Sequence, residues 1–287
     1  MQYSPVAPFL RQASIEITGK QIDKIAMLQQ HLAPATRVFV ALIDPGHLDA
    51  QIDACAALRN AGFVPIPHVP ARFVQDADDL NRRLAAFVSR AGVTSVLALG
   101  GGAPQPLGQF HCAIQLMETG AFQKHGITSV GIAGHPEGNP DITKVHGEAM
   151  LLRTLKEKCD WMKSAGVDGF IATQFLFDAM PVAHWADDLH KAGVDLPIHV
   201  GVPGPATIKT LIRYAAMCGV GNSARFVRKQ ALNITKLLTV SEPNEFVEQL
   251  SVLHTGKPEL NIAGAHLYPF GGFDKLFEWM HKISAAH

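Results

Sequence analysis

A chain of 287 residues with 25 basic and 25 acidic side chains has no net charge, which excludes the strongly basic surface that binds nucleic acid or anionic membranes. No stretch approaches the roughly 20 apolar residues that span a bilayer, and the N-terminal residues Met1 to Arg11 lack the apolar segment of a signal peptide. We therefore expect a cytoplasmic protein with small-molecule ligands and no nucleic-acid or membrane partner.

Short β-type runs alternate along the chain with amphipathic stretches of helical period. Eight such runs predict a (β/α)8 barrel, and because barrels of this class commonly have about 250 residues, we expect one domain over residues 1–287. An open doubly wound sheet is the alternative, but no G-x-G-x-x-G follows an early strand. The predicted strands are Ala13–Thr18, Val38–Ile43, Phe63–Pro67, Ser95–Leu99, Ser129–Ala133, Phe170–Gln174, Ile198–Val202 and Asn261–His266.

Two helical intervals carry the clearest detail. Between Glu148 and Ala165 apolar residues recur every three or four positions, which predicts a helix that packs one face on the sheet and ends at Gly166. The interval from Ala206 to Leu253 is too long for one crossover. Its breaks at 218–222 and 239–244 predict two or three helices.

The cysteines of the chain are far apart and form no C-x-x-C pair. Most of them are expected to fill the core in a reducing compartment. They are Cys55, Cys112, Cys159 and Cys218.

Glu16 lies in the first predicted strand between Ile15 and Ile17. With both isoleucines facing the helices, the two-residue period of a strand directs Glu16 into the barrel. Desolvation there raises a carboxyl pKa and suits a general acid. The alternative is an interior glutamate that only pairs with a lysine or arginine.

Two features follow the third and fourth strands. His68 is a candidate cofactor contact or a cap of its own loop, and Gly100–Gly102 lets the backbone approach a flat ligand or forms a flexible loop.

The loop from Gly134 to Pro140 follows the fifth strand and presents His135, Glu137 and Asn139. Their spacing does not match a zinc site, so we expect no metal there, and their polar groups suit ribose hydroxyls and amides.

The run from Gly169 to Asp178 predicts a buried parallel strand that ends at Gln174. The carboxyl end of such a strand is where barrels bind ligands, so the Gln174 amide is a candidate reader of an amide or pterin edge. A glutamine that only caps backbone groups is the alternative.

These motifs together resemble the methylenetetrahydrofolate reductase family of flavin-dependent (β/α)8 barrels, over about Ser14 to Tyr268. The matching pieces are Ser14-Ile-Glu-Ile for S-x-E-F, Ile66-Pro-His for A-P-H, Ala98-Leu-Gly-Gly-Gly-Ala-Pro for A-L-R-G-D-x-P, Ala133-Gly-His-Pro-Glu-Gly-Asn-Pro for A-x-Y-P-E-x-H-P, Leu155-Lys-Glu-Lys for L-K-x-K, Thr173-Gln-Phe-Leu-Phe-Asp for T-Q-F-F-F-D, and His266-Leu-Tyr for H-F-Y.

The resemblance implies reduction of 5,10-methylenetetrahydrofolate to 5-methyltetrahydrofolate by NADH or NADPH through FAD, in one-carbon metabolism and methionine biosynthesis. It makes Glu16 the general acid, and Gln174 and Tyr214 the substrate contacts. Self-association into a homo-oligomer is compatible with it. The implied flavin positions are His68, Gly101, Gly102, His135, Asn139, Lys158, Ala172, Gln174 and Tyr268.

The chain also departs from the family pattern. Gly100–Gly102 replaces R-G-D, His135 and Asn139 replace a tyrosine and a histidine, Thr210 replaces a glutamine, and Gly272 replaces an arginine. These changes leave open a relative that oxidises 5-methyltetrahydrofolate, or one that works without flavin.

A non-catalytic flavin- or folate-binding module is a further alternative, which the presence of Glu16 disfavours. A Schiff-base lyase is disfavoured because no predicted strand has a central lysine.

Overall fold

The computed structural model describes residues 5–217 and 237–286. Eight strands form a closed barrel in the order β1-β10-β7-β6-β5-β4-β3-β2, which confirms the predicted (β/α)8 fold. The barrel strands are β1 Ser14–Thr18, β2 Arg37–Ala41, β3 Val64–Pro70, β4 Ser95–Leu99, β5 Ser129–Gly134, β6 Asp168–Phe175, β7 Ile198–Pro203 and β10 Ile262–Tyr268. A separate antiparallel pair is formed by β8 Ala206–Thr207 and β9 Val240–Ser241.

Every predicted strand corresponds to one of these eight. β4 has the predicted bounds, while β6 extends one residue past Gln174 and β10 reaches Tyr268. β3 is a strand despite three prolines, which lack the N–H that a ladder needs. Its residues up to Pro67 pair with β2, and its pairs with β4 begin only at His68.

Helices occupy the intervals between the strands. Those described are α1 Val6–Arg11, α2 Ile25–His31, α3 Leu48–Asn60, α4 Ala77–Ala91, α5 Ala113–Met117, α6 Ala121–Lys124, α7 Pro140–His146, α8 Ala149–Ala165, α9 Ala179–Lys191, α10 Ile208–Met217, α11 Asn244–Gly256 and α12 Phe273–Ala286. None of the helices in the described ranges is long and apolar enough to cross a membrane.

The two intervals singled out in the sequence behave as predicted where they are described. In α8 the side chains of Leu155, Cys159 and Met162 are buried, and Gly166 follows the helix with φ +63°. Between β7 and β10 the chain forms α10 and α11. The break at 239–244 contains β9, and the break at 218–222 lies outside the described residues.

Two of the cysteines are buried, as expected for core residues. Cys55 and Cys159 are buried, whereas Cys112 is exposed, and all three are free thiols. Burial raises the pKa of the Cys55 thiol well above its usual value. Cys218 lies outside the described residues.

The chain folds as two compact units, each built from more than one segment. The first comprises Met1–Ser14, Gly134–Arg153 and Ala172–His287, and the second comprises Ile15–Ala133 and Thr154–Ile171. The single-domain organisation therefore stays a prediction.

The second unit contains a core of closely fitted rings. Phe39 on β2 meets Phe170 on β6 edge to face, with ring centroids 5.9 Å apart. A Cβ at position 131 would lie 2.3 Å from the Phe170 ring, so only glycine fits on β5 there. The core of the first unit includes Trp279, whose Nε1 donates to Asn244 Oδ1 at 2.7 Å.

Candidate active site

Glu16 and His68 form a carboxyl–imidazole pair in the second unit. Glu16 follows Ile15 and precedes Ile17, whose side chains are buried on β1. Glu16 Oε2 lies 3.4 Å from His68 Nε2, and the two side chains are only 20% and 12% exposed. The predicted inward direction of Glu16 agrees with this contact. The partner in this contact is the histidine that the sequence assigned to the flavin.

The surroundings of Glu16 favour the protonated carboxyl. Burial raises the pKa of Glu16, and the charge of His68 offsets part of that increase. Because the raised pKa keeps the proton on the carboxyl to a higher pH than usual, Glu16 can donate a proton at a higher pH than an ordinary carboxyl group. This is the chemistry expected of a general acid.

His68 is held in position from two directions. The ring of Phe39 meets the imidazole edge to face at 6.2 Å. From α3, the buried amide of Gln51 donates through Nε2 to the carbonyl oxygens of Val40 and His68, at 2.7 and 3.0 Å. A helix side chain thus joins the carboxyl-terminal parts of β2 and β3 at the residue that contacts Glu16.

An arginine that the sequence analysis did not consider holds the glycine loop after β4. Arg72 donates from one guanidinium nitrogen to Ala103 O at 2.8 Å and from Nε to His111 O at 3.2 Å. Its backbone N–H also donates to Gly100 O at 3.0 Å. Three hydrogen bonds from Arg72 therefore anchor the loop.

The two glycines that the sequence assigned to the flavin differ in their surroundings. Gly101 has φ +92°, and a Cβ there would lie 2.9 Å from Pro70 Cβ. A Cβ on Gly102 would meet nothing within 4 Å. Gly101 is needed for the shape of the loop, whereas Gly102 has room for a side chain.

Lys158 on α8 is half-buried. Burial lowers the pKa of its ammonium group, and the Cys112 and Cys159 thiols and the Glu157 carboxylate only partly oppose this effect. Over residues 5–217 and 237–286, no hydrogen bond or ion pair of Lys158 Nζ is found. A poorly solvated cation of this kind favours an anionic ligand.

In the first unit, Gln174 is half-buried near the end of β6. Its Oε1 accepts a hydrogen bond from its neighbour Phe175 N at 3.3 Å, which is a long contact of the capping type. Its amide NH₂ group donates no hydrogen bond within the described ranges. The contact of Oε1 agrees with the capping interpretation, and the ligand-reading interpretation of the NH₂ group stays a prediction.

The backbone around Gln174 is fixed by its neighbours. Thr173 Oγ1 donates to Gln174 O at 2.8 Å and accepts from Gly201 N at 2.8 Å. The buried Tyr268 hydroxyl donates to Thr173 O at 3.1 Å. Ala172, also assigned to the flavin, is buried earlier on β6.

Tyr268 packs on a neutral histidine. The ring of His266 meets Tyr268 edge to face at 4.9 Å, and Ser14 Oγ lies 2.9 Å from His266 Nδ1. Burial lowers the pKa of His266 to about 3, so this imidazole carries no charge at neutral pH. It orders the ring of Tyr268 without adding charge.

The loop after β5 begins with His135 and turns at Gly138, where φ is +80°. Asn139 is the N-cap of α7, and its Oδ1 accepts from Asp141 N at 3.0 Å. This oxygen is occupied by the helix, and a flavin contact of Asn139 stays a prediction. Over the described part of the chain, no group of three His, Cys, Asp or Glu side chains is arranged to hold a metal ion.

The structure thus brings together Glu16 and His68 in the second unit, and Gln174 and Tyr268, through Thr173, in the first. Tyr214, on α10, packs in the first unit against the aromatic residues around Phe175. Sequence reasoning missed Arg72, Gln51, Thr173 and Phe270. A glutamine inside the apolar stripe of α3 was the one available signal for Gln51.

Comparison with known proteins adds a family likeness. Residues 50–229, more than half of the chain, match the family model described as methylenetetrahydrofolate reductase. The chain is 30% identical over 140 residues to "Methylenetetrahydrofolate reductase (NADH) 1" of Arabidopsis thaliana, covering 44% of this chain and 23% of that protein. It is 30% identical over 180 residues to "Methylenetetrahydrofolate reductase 2" of Saccharomyces cerevisiae, covering 59% and 28%. These matches span only about a quarter of the relatives' length.

Solved structures that match this protein over most of its length have little sequence identity to it. A triosephosphate isomerase from Bartonella henselae has a TM-score of 0.46 at 8% identity, covering 95% of this chain and 98% of that one. An endonuclease IV from Thermus thermophilus has a TM-score of 0.46 at 13% identity, covering 96% and 98%.

Proposed function

Since the chain belongs to the methylenetetrahydrofolate reductase family, we propose that it reduces 5,10-methylenetetrahydrofolate to 5-methyltetrahydrofolate, with NADH or NADPH as the electron donor and FAD as the cofactor. The observation that carries this proposal is the desolvated carboxyl of Glu16, 3.4 Å from His68. In the sequence resemblance Glu16 corresponds to the family's general acid, and the reaction needs one proton donor.

Glu16 would supply the proton that opens the five-membered ring of the substrate. Protonation of the folate nitrogen that leaves the methylene carbon turns that carbon into an electrophilic iminium carbon, which then accepts hydride. His68, 3.4 Å from the carboxyl, would orient Glu16 and stabilise the carboxylate that remains. The low exposure of the Glu16 side chain, only 20%, would limit competition from bulk water for the proton.

The residues of this chain fit a dinucleotide flavin. The half-buried Lys158 ammonium, which makes no hydrogen bond or ion pair within the described residues, suits the diphosphate. The anchored glycine loop offers backbone N–H groups. FAD, when bound, would take hydride from the nicotinamide and give it to the methylene carbon. The proposed flavin contacts are His68, Gly101, Gly102, His135, Asn139, Lys158, Ala172, Gln174 and Tyr268.

Gln174 and Tyr214 would position the substrates. The amide NH₂ of Gln174 has no protein acceptor within the described residues and is therefore available to the pterin and the nicotinamide. Tyr214 would stack on a planar ring of the substrate. Because both substrates would use these groups in turn, the kinetics should be ping-pong.

The experiment that tests the proposal is an absorbance spectrum of the purified protein incubated with FAD, followed by anaerobic addition of NADH or NADPH and then of methylenetetrahydrofolate. We expect a yellow protein that bleaches with the donor and regains its colour with the folate. A colourless protein would refute the flavin, and a yellow protein that no donor bleaches would indicate a binding module. Bleaching by 5-methyltetrahydrofolate faster than by either nicotinamide would indicate the oxidative direction.

A further inference from the structure

The first unit contains a stack of three aromatic rings, one from α10, one from the end of β10 and one from the loop after β10. Tyr214 on α10 and Phe270, in the loop after β10, lie face to face with centroids 4.1 Å apart and planes 14° apart. The centroid of the Phe270 ring also lies 5.4 Å from that of Tyr268, with the two planes 27° apart. The same ring meets Phe175 edge to face, with centroids 4.8 Å apart. Phe270 thus lies in stacking contact with both tyrosines.

This stack is not a sealed part of the core. Tyr214, Phe270 and Phe177 are partly buried rings that pack around the buried Phe175, Ala215 and Tyr268. A partly exposed aromatic cluster of this kind is typical of a site for a planar ligand. Phe175 directly follows Gln174, whose NH₂ group makes no hydrogen bond in the described ranges.

The face of Tyr214 that Phe270 covers has room for only one ring, because 4.1 Å is already contact distance. We propose that Phe270 holds the place of a planar heteroaromatic ring on Tyr214, that the ring of the pterin or the nicotinamide displaces it, and that Phe270 thereby sets the affinity for these ligands. The identity of the ligands rests on the proposed function, whereas the displacement rests on the stack itself.

The geometry of the loop favours movement of the side chain over movement of the backbone. Phe270 N donates to Tyr268 O at 2.8 Å, and Gly204 N donates to the same oxygen at 2.8 Å. A Cβ at Gly271 would lie 1.8 Å from Pro205 O, so the next residue is held against the β7–β8 connection. Because the backbone of the loop is held in this way, displacement requires the ring of Phe270 to leave Tyr214 by rotation about its Cα–Cβ bond.

The test compares Phe270→Ala and Phe270→Leu with the wild type in the FAD-loaded protein. We expect both variants to bind NADH and folic acid more tightly by roughly two- to tenfold, the worth of one stacked aromatic pair. KM for methylenetetrahydrofolate should fall by a similar factor, and kcat should stay within about threefold. Phe273→Leu is the matched control, because Phe273 is a nearby buried phenylalanine outside the stack, and it should leave both affinities unchanged.

A second arm places each Phe270 variant in a Tyr214→Leu background. If Phe270 competes for the face of Tyr214, the gain in affinity should vanish there. Unchanged or weaker binding of NADH and folic acid in a folded Phe270 variant would overturn the inference, and so would a gain that survives Tyr214→Leu. The proposed function fails separately, when the wild type binds these compounds but shows neither flavin reduction nor reoxidation by the folate.

Discussion

Replacement of Glu16 by Gln should separate the two half-reactions of the proposed enzyme. Hydride transfer from nicotinamide to flavin needs no proton from a carboxylic acid, so flavin reduction should stay within about tenfold of the wild type. Reoxidation by methylenetetrahydrofolate needs the proton and should fall by about 10²- to 10⁴-fold. That loss corresponds to about 2.7–5.4 kcal/mol of transition-state stabilisation.

The surroundings of Glu16 show which group could replace the missing acid. Glutamine keeps the volume of the side chain and its contact with His68 Nε2 at 3.4 Å, so only the transferable proton is removed. Only 20% of the Glu16 side chain is exposed, which restricts replacement of the acid by bulk water. His68 is the adjacent group that could donate instead. A loss near 10²-fold should therefore deepen when His68→Gln is added, whereas a loss near 10⁴-fold should not.

The raised pKa of Glu16 also predicts two pH dependences. The folate half-reaction of the wild type should be fastest below that pKa and fall about tenfold per pH unit above it, while Glu16→Gln should lack this limb. Stability follows the same sign. The protonated form stabilises the fold fully below the ordinary value of 4.5, and this contribution is lost as the pH rises through the raised pKa. Urea unfolding at several pH values should show that decline in the wild type and not in Glu16→Gln.

Anaerobic single-turnover stopped-flow measurement of flavin absorbance follows each half-reaction separately. Equal loss in both halves would show that Glu16 is structural or contacts the flavin. No loss in either half would show that the proton comes from another group, and the general-acid role would be wrong.

Three further substitutions test other parts of the site. Lys158→Gln should weaken FAD binding, measured by equilibrium dialysis, by roughly ten- to a hundredfold because a charge-assisted contact is lost. The control Lys156→Gln, at an exposed position of the same helix, should leave FAD binding unchanged. Equal effects of the two substitutions would contradict a contact between Lys158 and the diphosphate. The Gly102→Asp variant should fold, because a Cβ at this position meets nothing within 4 Å. It should shift folate affinity or the flavin reduction potential by the equivalent of about 1–3 kcal/mol. An unchanged affinity and an unchanged potential would show that the loop lies away from the reacting groups. Gln174→Leu should reduce folate turnover by the equivalent of about 1–3 kcal/mol with little change in the melting temperature, and an unfolded variant would favour the capping interpretation.

Local sequence pattern determined the barrel. Apolar runs of strand length, separated by stripes of helical period, are properties of neighbouring residues, so all eight barrel strands could be located before any tertiary contact was known. The two-residue period of a strand placed Glu16 on the side of β1 opposite the buried Ile15 and Ile17. Cys112 shows the limit of such reasoning, because nothing in its neighbourhood distinguished it from the buried cysteines.

Only the tertiary structure decided which distant side chains meet. The amide of Gln51 reaches His68 from a helix, Arg72 closes the glycine loop from the end of another strand, and Phe270 lies on Tyr214 although 56 positions (270 − 214) separate them. No local pattern encodes such contacts, because they depend on how strands register and where loops return. The sequence thus determined the architecture and the candidate acid, and three-dimensional packing determined which side chains contact the residues of the candidate site.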